Sequence, residues 1–386
     1  MSKNRKNEKI LDAPLQIPLN DKRIIHGWAM FDWANSAYAL VITAAIFPIY
    51  FIEYTNGTPL ADGTIPNNVH FLGMTMKNST LFSYSVSFAY LVIASVLPLL
   101  TGIADYSGRK MFFMKWFTTL GSISCISLYW FTGPENLWIG VLGFVLAAIS
   151  FAGGQVFYNS YLPLIVTQDQ FDKVSAKGFS YGYIGSVILL VMNLAVIMNH
   201  DAFGLGTQMA TRLAFLSVGF WWIGFAQISF NRLPQDVRNS DNQGLLSKGY
   251  KEIRKVWGEL QHLPNTKRFL MSFFFYSSGV LTVMFLATTF AKEELHMETT
   301  SLIVTILLIQ LVGIVGAQLF AKVSEIKGNK ISILIMLLIW IGICVSAYFV
   351  TKTSQFYVLA STVGLVMGGI QSLSRSTYSK LIPEGS

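Results

Sequence analysis

The sequence predicts an all-α polytopic membrane protein, and three observations lead to this prediction. Hydrophobic residues make up 53% of the 386 residues and charged residues only 12%, whereas soluble domains carry about 25% charged residues. Apolar runs long enough to cross a bilayer as helices recur along the whole chain. Lysines and arginines are concentrated in alternate loops, which is the distribution that orients membrane helices.

The apolar runs define ten predicted spans. In chain order they cover residues 28–52, 79–101, 111–132, 137–160, 180–199, 210–230, 268–291, 299–321, 331–351 and 355–374. The tail before them, residues 1–27, is polar. Because the first run is long enough to remain in the membrane, we expect it to be an anchor rather than a cleaved signal sequence.

The positive charges predict the orientation of these spans. When the N-terminus and every second loop are placed on the cytoplasmic side, nearly all of the 28 lysines and arginines lie on that side. The four exceptions are Lys77, Arg212, Lys292 and Lys352. Since cations in short loops resist translocation, the N-terminus is predicted to be cytoplasmic. The net charge of +8 is thereby explained by topology, and no nucleic-acid partner is expected.

The longest loop on the predicted cytoplasmic side separates six spans from four. Within it, Lys248–Trp257 is a basic amphipathic stretch that we expect to lie along the membrane surface. The predicted organisation is then a cytoplasmic tail, a six-helix bundle, a linker and an incomplete four-helix bundle. Their bounds are residues 1–27, 28–230, 231–267 and 268–386.

An internal repeat supports two related bundles. When the sequence is shifted by 220 residues, residues near the ends of two spans of the first bundle align with similar residues near the ends of two spans of the second. The pairs are Asp105 and Glu325, Gly108 and Gly328, Lys110 and Lys330, Tyr158 and Tyr378, and Pro163 and Pro383. On this repeat, two further spans would follow Pro383, so the last two of twelve helices are predicted to be missing.

A charged turn joins the second and third spans. Its characteristic residues are Gly102, Asp105, Gly108, Arg109 and Lys110. The glycines permit a sharp turn, and the charged side chains can pair across it. We interpret it as a conformational gating turn; the alternative is an ordinary positively charged cytoplasmic turn.

Four motifs give this chain its resemblance to a known family. The charged turn resembles the Gly-x-x-x-Asp-x-x-Gly-Arg-Arg/Lys signature of major facilitator superfamily (MFS) transporters. Three other stretches, Gly27–Tyr38, Tyr158–Pro163 and Gly368–Ser376, resemble the family of fungal autophagy-related vacuolar amino-acid effluxers and bacterial permeases. The resemblance implies the two-bundle MFS fold and alternating-access transport of a small solute, with amino acids as the substrate class. It also implies a bacterial cytoplasmic (inner) membrane location.

Polar residues inside the first span are candidates for a substrate or proton site. Asp32 and Asn35 are one helical turn apart and are expected to share a face with Ser36 and Thr43. An ionisable residue within a bilayer is costly and usually faces a bundle interior or a cavity. The alternative is that Asp32 lies close enough to the cytoplasmic end to cap the helix or pair with a loop cation.

Two further spans carry polar pairs with the same spacing. Gln155 and Asn159 in the fourth span, and Gln371 and Arg375 in the tenth, are each four residues apart. The resemblance implies that the first, fourth, seventh and tenth helices line one central pathway. Arg375 is then expected to bind a substrate carboxylate or to pair with Asp32 when the cytoplasmic side closes. The alternative is an arginine at a helix end that extends to the lipid headgroups.

Several classes of protein are excluded by missing motifs. The sequence contains no Gly-x-x-x-x-Gly-Lys-Ser/Thr loop for ATP, no His-Glu-x-x-His pair for zinc and no nucleophile elbow. We therefore predict no enzymatic activity, no metal and no other cofactor.

The function predicted from the whole sequence is that of a monomeric secondary active transporter. Its predicted partners are a small-molecule substrate and the bilayer, and coupling to protons is left open. A proton-linked drug or metabolite exporter, a non-transporting sensor and a truncated remnant remain as alternatives.

Overall fold

The computed structural model describes residues 18–58, 65–236 and 245–382. Most of the predicted tail and Pro383 of the repeat lie outside these residues. The described chain is almost entirely helical, as predicted. Its helices are α1 Lys22–Ala37, α2 Phe47–Thr55, α3 Asn78–Ser107, α4 Lys110–Ser127, α5 Leu137–Asn159, α6 Leu162–Ile165, α7 Phe171–Met198, α8 Thr207–Arg232, α9 Leu245–Gln261, α10 Pro264–Glu293, α11 Thr299–Lys327, α12 Asn329–Ala347 and α13 Thr353–Leu381.

The described residues contain nine helical stretches that are long and apolar enough to cross a membrane. They correspond to predicted spans one to six and eight to ten. The seventh predicted span coincides with α10, a helix of 30 residues that is not among these nine. A short antiparallel hairpin, β1 Asn68–Phe71 and β2 Met74–Lys77, precedes α3.

Two details of the predicted spans are wrong. The fifth span was expected to begin at residue 180, but α7 begins at Phe171, because polar residues of its first turns find partners in other helices instead of forming a loop. The first span is interrupted by a π-helix, Tyr38–Ile46, between α1 and α2. This wider turn comes just before Pro48, which lacks an N–H and whose ring clashes with the carbonyl of the preceding turn.

Two hydrophobic clusters organise the helices. The larger consists of buried residues between Trp28 and Leu233, on α1 to α8 and the turn that follows. The smaller consists mainly of residues of α10 to α13, with Tyr183 of α7 added. We refer to α1–α8 as the N-terminal half and to α10–α13 as the C-terminal half.

Helix α9 lies at one end of the membrane-crossing helices. It packs across the end of α3, where a Cβ atom on Gly102 would lie 2.5 Å from the carbonyl oxygen of Gly249. Because successive spans alternate in direction, α1 begins on this same side, α3 and α13 end on it, and α4 begins on it. We call it the linker side.

Candidate functional site

An arginine of the C-terminal half reaches into the N-terminal half. Arg375, on the last turns of α13, donates a hydrogen bond from Nη1 to Oδ2 of Asp32 on α1 at 3.0 Å. Both residues are buried, with 9% of Arg375 and 2% of Asp32 exposed. The ion pair therefore joins the two halves in the protein interior, across 343 positions of sequence.

The N-terminal half provides a shaped pocket for the guanidinium group. Its Nε donates to Oγ of Ser175 at 2.9 Å, and its Nη2 donates to the carbonyl oxygen of the same residue at 2.7 Å. Three aromatic rings surround it, with Cζ lying 4.6 Å from the ring centre of Trp28, 5.5 Å from that of Tyr158 and 4.2 Å from that of Phe179. Hydrogen bonds and cation–π contacts together compensate a buried arginine for lost hydration.

Tyr158 of α5 completes the surroundings of the carboxylate. Its hydroxyl donates to Oδ2 of Asp32 at 2.8 Å, while its carbonyl oxygen accepts a hydrogen bond from Nε1 of Trp28 at 3.2 Å. The rings of Trp28 and Tyr158 stack with centres 4.6 Å apart. The site thus places one negative and one positive charge in contact, so its net charge is zero.

Glycine residues of α7 allow this close packing. A Cβ atom on Gly178 would lie 2.5 Å from Oδ2 of Asp32 and 2.8 Å from both Nη2 of Arg375 and the ring of Trp28. One turn further along α7, a Cβ atom on Gly182 would lie 2.4 Å from Oγ of Ser36. Larger side chains at these positions would separate α7 from α1.

Replacing Gly178 with alanine is expected to reduce transport roughly tenfold or more, because the added methyl group displaces the ion pair. Alanine is favoured over glycine in a helix by about 1 kcal/mol, so helix instability would not explain a loss. The matched control is Gly224→Ala on α8, where an added Cβ atom meets nothing within 4 Å. Uptake by reconstituted vesicles measures both variants, and equal rates would show that the ion pair tolerates displacement.

A second polar contact between the halves lies nearer the linker side. Lys380 of α13 pairs with Asp172 of α7, with Nζ 2.7 Å from Oδ2. Asn329, at the start of α12, donates to Oδ1 of Asp172 at 2.9 Å and accepts from Lys380 at 2.8 Å. Ser324 of α11 donates to Oδ2 of Asp172 at 2.8 Å. With these partners, the buried aspartate joins α7 to three helices of the C-terminal half.

A cavity of about 210 Å³ lies beside the ion pair, on the side away from the linker. Its walls combine a charged group, amides and hydroxyls with apolar side chains. They are formed by Asp32, Ser36, Ala39, Leu40, Phe151, Gln155, Phe179, Tyr183, Ser186, Gln310, Met367 and Gln371. Tyr183 donates to Oε1 of Gln371 at 2.8 Å, whereas Oε1 of Gln310 is buried without a hydrogen-bond partner in the described part of the chain.

Five of the six predicted pathway residues lie at the cavity or on its linker side. Asp32, Gln155 and Gln371 line the cavity. Arg375 and Asn159 lie on its linker side, where Oδ1 of Asn159 is 3.4 Å from Nη1 of Arg375.

Asn35 is not among the cavity residues. It is fully buried, and neither its Oδ1 nor its Nδ2 has a hydrogen-bond partner among the described residues. Thr43 lies within the π-helix and does not line the cavity either. Of the face predicted from Asp32, Asn35, Ser36 and Thr43, the cavity is therefore lined by Asp32 and Ser36, and a pathway role for Asn35 stays a prediction. For Thr43 the reason is the wider π turn, which changes the rotation of its residues relative to a regular helix; Asn35 precedes this turn.

The helices that line the cavity also differ from the expectation. The first, fourth and tenth spans contribute residues, but no described residue of α10 does. Tyr183 and Ser186 of α7 and Gln310 of α11 line it instead. Close packing of α7 against α1 and α11 brings the fifth and eighth spans to the centre.

The gating turn is built around a left-handed glycine. Gly108 has φ +65° and ends α3, and Arg109 follows as the half-buried residue before α4. Lys110 and Asp105 pair at 3.1 Å, with about half of the aspartate side chain exposed. Asp236, four residues after α8, accepts hydrogen bonds from the first backbone N–H groups of α4 at 2.7 and 3.0 Å.

Sequence reasoning missed the contacts of Ser175, Asp172 and Lys380. Asp172 lies between the fourth and fifth predicted spans, in a segment predicted to be a loop, so no pattern in the sequence indicates that it is buried. The repeat did contain one clue. Asn329 stands where Arg109 stands in the first half, and this substitution provides the amide that binds Asp172 and Lys380.

Comparisons with known proteins identify the family of this chain. The family profile described as "Vacuole effluxer Atg22 like" matches residues 20–386. The chain is 29% identical to the uncharacterized MFS-type transporter YxiO of Bacillus subtilis over 93% of this chain and 81% of that protein. It is 22% identical to autophagy-related protein 22 of Saccharomyces cerevisiae over 99% of this chain and 84% of that protein.

Solved structures show the same fold. The MFS transporter FucP in its outward conformation superimposes with a TM-score of 0.60 at 12% identity, covering 93% of this chain and 88% of that chain. The proton:xylose symporter XylE gives a TM-score of 0.57 at 15% identity, with 93% and 85% covered. The prediction of an MFS-type membrane protein rather than an enzyme is confirmed, and the chain belongs to the Atg22-like family of MFS transporters.

Proposed function

We propose that this protein is a secondary active transporter that moves small zwitterionic solutes, amino acids in the first place, by alternating access. The observation that carries the proposal is the ion pair between Arg375 and Asp32, because it joins the two halves directly beside the central cavity. A contact of this kind must form and break if the halves rock about a central site.

In the arrangement described here, the linker side is closed by two sets of contacts. Arg375 occupies its pocket in the N-terminal half, and Lys380 with Asn329 binds Asp172. We propose that this side is cytoplasmic and that the gating turn stabilises the closed arrangement there. The excess of lysine and arginine on the linker side supports that orientation. We further propose that the protein is a monomer and that its membrane is a bacterial cytoplasmic membrane.

Opening the linker side would remove Arg375 from Asp32. The carboxylate would keep Tyr158 as a hydrogen-bond donor but would lose its counter-charge, and a buried carboxylate without a counter-charge is strongly unfavourable. A ligand ammonium group or a proton would replace the guanidinium group. Exchange of the counter-charge is thus a means of coupling solute or proton binding to the movement of the halves.

The chemistry of the cavity supports a polar, overall neutral substrate. Gln155, Gln310 and Gln371 present amides that both donate and accept hydrogen bonds, and the neighbouring wall is apolar. When the ion pair separates, Asp32 suits the ammonium group of a zwitterion and Arg375 suits its carboxylate. The description of the family as vacuole effluxers is compatible with movement of small solutes across a membrane.

Counterflow in proteoliposomes tests the proposal. Vesicles preloaded with a mixture of neutral amino acids are expected to accumulate labelled amino acids, with and without an imposed pH gradient, and Asp32→Asn is expected to abolish this accumulation. Dependence of accumulation on the pH gradient would assign proton coupling. Flux of cationic drugs alone would identify an exporter of the alternative class, and saturable binding without flux would identify a sensor.

A further inference from the structure

A basic cluster lies between α1, α7 and α8, apart from the cavity and the contacts between the halves. On the linker side, Nη1 of Arg232 donates to Nδ1 of His26 at 2.6 Å. The imidazole ring of His26 packs edge-on against Tyr181, with ring centres 5.8 Å apart, and Nζ of Lys177 lies 5.6 Å from the centre of the same tyrosine ring. Three basic side chains thus converge from three helices.

Among the described residues, the cluster has no acidic partner. In residues 18–58, 65–236 and 245–382, no carboxylate lies within 4 Å of Arg232 or Lys177. Since arginine can only donate, His26 must accept at Nδ1 and carry its proton on Nε2. That N–H, the ammonium group of Lys177 and the remaining guanidinium N–H groups are therefore all donors. Their convergence is the pattern of an anion site, and phosphate is the group such donors bind best.

The stem of Arg232 is held in place by a glycine. A Cβ atom on Gly27 would lie 2.5 Å from Cβ of Arg232 and 3.2 Å from its Cδ. The arginine therefore lies flat along α1, directed toward His26. Its side chain is half-buried, as are those of His26 and Lys177. A fixed and half-buried arginine pays little conformational entropy when it binds a ligand.

An apolar surface continues from the cluster toward the middle of the membrane. Trp33 lies seven residues beyond His26 on α1, which is about 10 Å deeper along the helix. Its ring stacks on Trp221 with centres 5.6 Å apart and lies 5.8 Å from the ring of Phe225, both on α8. Gly185 of α7 allows this ring to lie against α7, because a Cβ atom there would lie 2.8 Å from it.

The part of this surface that α7 forms is also apolar. Ile184 and Ile188 are one and two turns beyond Tyr181 on α7 and are 37% and 41% exposed. A basic site at the level of the headgroups, with an aromatic and aliphatic surface about 10 Å below it, matches the arrangement of headgroup and acyl chains in a phospholipid. We propose that His26, Lys177 and Arg232 bind the phosphate of an anionic phospholipid from the linker-side leaflet, whose acyl chain lies over Trp33.

Native mass spectrometry of the full chain in detergent tests this site, with phosphatidylglycerol and phosphatidylcholine as probes. The wild-type protein is expected to retain one phosphatidylglycerol in preference to phosphatidylcholine. Lys177→Gln and Arg232→Gln are each expected to weaken this binding about tenfold, whereas Arg232→Lys should retain part of it. The control is Lys115→Gln, which removes an exposed lysine of α4 on the same side.

A second arm separates a lipid from a free anion. The midpoint of thermal unfolding should rise with phosphatidylglycerol and should not rise with inorganic phosphate at the same concentration. This readout also shows whether each variant is folded before lipid is added. Equal stabilisation by inorganic phosphate would overturn the lipid assignment, and undiminished phosphatidylglycerol binding in folded Lys177→Gln and Arg232→Gln proteins would overturn the site itself.

Discussion

Replacing Arg375 with glutamine is expected to reduce transport by at least a hundredfold. The substitution leaves Asp32 buried beside the cavity with Tyr158 as its remaining hydrogen-bond partner. Removing one partner of a buried ion pair costs about 3–5 kcal/mol, and each 1.4 kcal/mol corresponds to about a tenfold change in an equilibrium. Initial rates of counterflow in proteoliposomes measure this loss.

The double variant Asp32→Asn with Arg375→Gln separates folding from transport. Since it removes both charges, it is expected to recover thermal stability relative to Arg375→Gln alone, because no buried charge is left unpaired. Transport should remain lost, since the exchangeable counter-charge is gone. Arg254→Gln, which removes an exposed arginine of α9, is the control. A wild-type rate in Arg375→Gln would instead support the alternative of an arginine that contacts lipid headgroups.

Replacing Asp172 with asparagine is expected to open the linker side. The carboxylate accepts hydrogen bonds from Lys380, Asn329 and Ser324, all in the C-terminal half. A hydrogen bond to a charged group contributes about 1.5–3 kcal/mol, so the closed arrangement should lose roughly 10- to 100-fold in population relative to the open one. The double variant Asp172→Asn with Lys380→Gln should show a similar shift.

Thiol labelling measures this shift. A cysteine in place of Ser372, which is fully buried and whose carbonyl oxygen accepts from Ser175 across the two halves, would report the opening. The natural Cys344 is exposed and must be replaced first, whereas Cys125 is buried. Labelling should be faster in Asp172→Asn and unchanged in Glu252→Gln, because the ion pair of the half-buried Glu252 with the exposed Lys255 lies within α9 and contributes little. Equal labelling of all variants would show that Asp172 does not hold the linker side closed.

The fold was largely accessible to sequence reasoning because bilayer-spanning helices are specified locally. Span length and hydrophobicity can be read along the chain, and nine of the ten predicted spans have a counterpart among the described membrane-crossing helices. Local patterns failed where the backbone departed from a regular helix. The π-helix Tyr38–Ile46 left no clear signal besides Pro48, and Thr43, which lies within it, is not among the residues that line the cavity.

The site was accessible only in part. Asp32 and Arg375 were singled out because charges inside apolar runs are costly and therefore informative. Their surroundings were not predicted, since Ser175 and Phe179 belong to a helix whose start had been read as a loop. Asp172 was missed for the same reason. A polar residue that is buried against another half of the protein looks, in sequence, the same as one in a solvated loop.

By itself, then, the sequence determined the helical class, the spans, the distribution of charge and the family, because each of these follows from composition, local patterns and short motifs. Only the tertiary structure decided that Arg375 meets Asp32 in an aromatic pocket, that α7 and α11 line the cavity, and that Asp172 binds Lys380. Such contacts depend on how each helix is rotated and how closely its glycines let it approach a neighbour. Those quantities are set by packing between residues that are far apart in the chain.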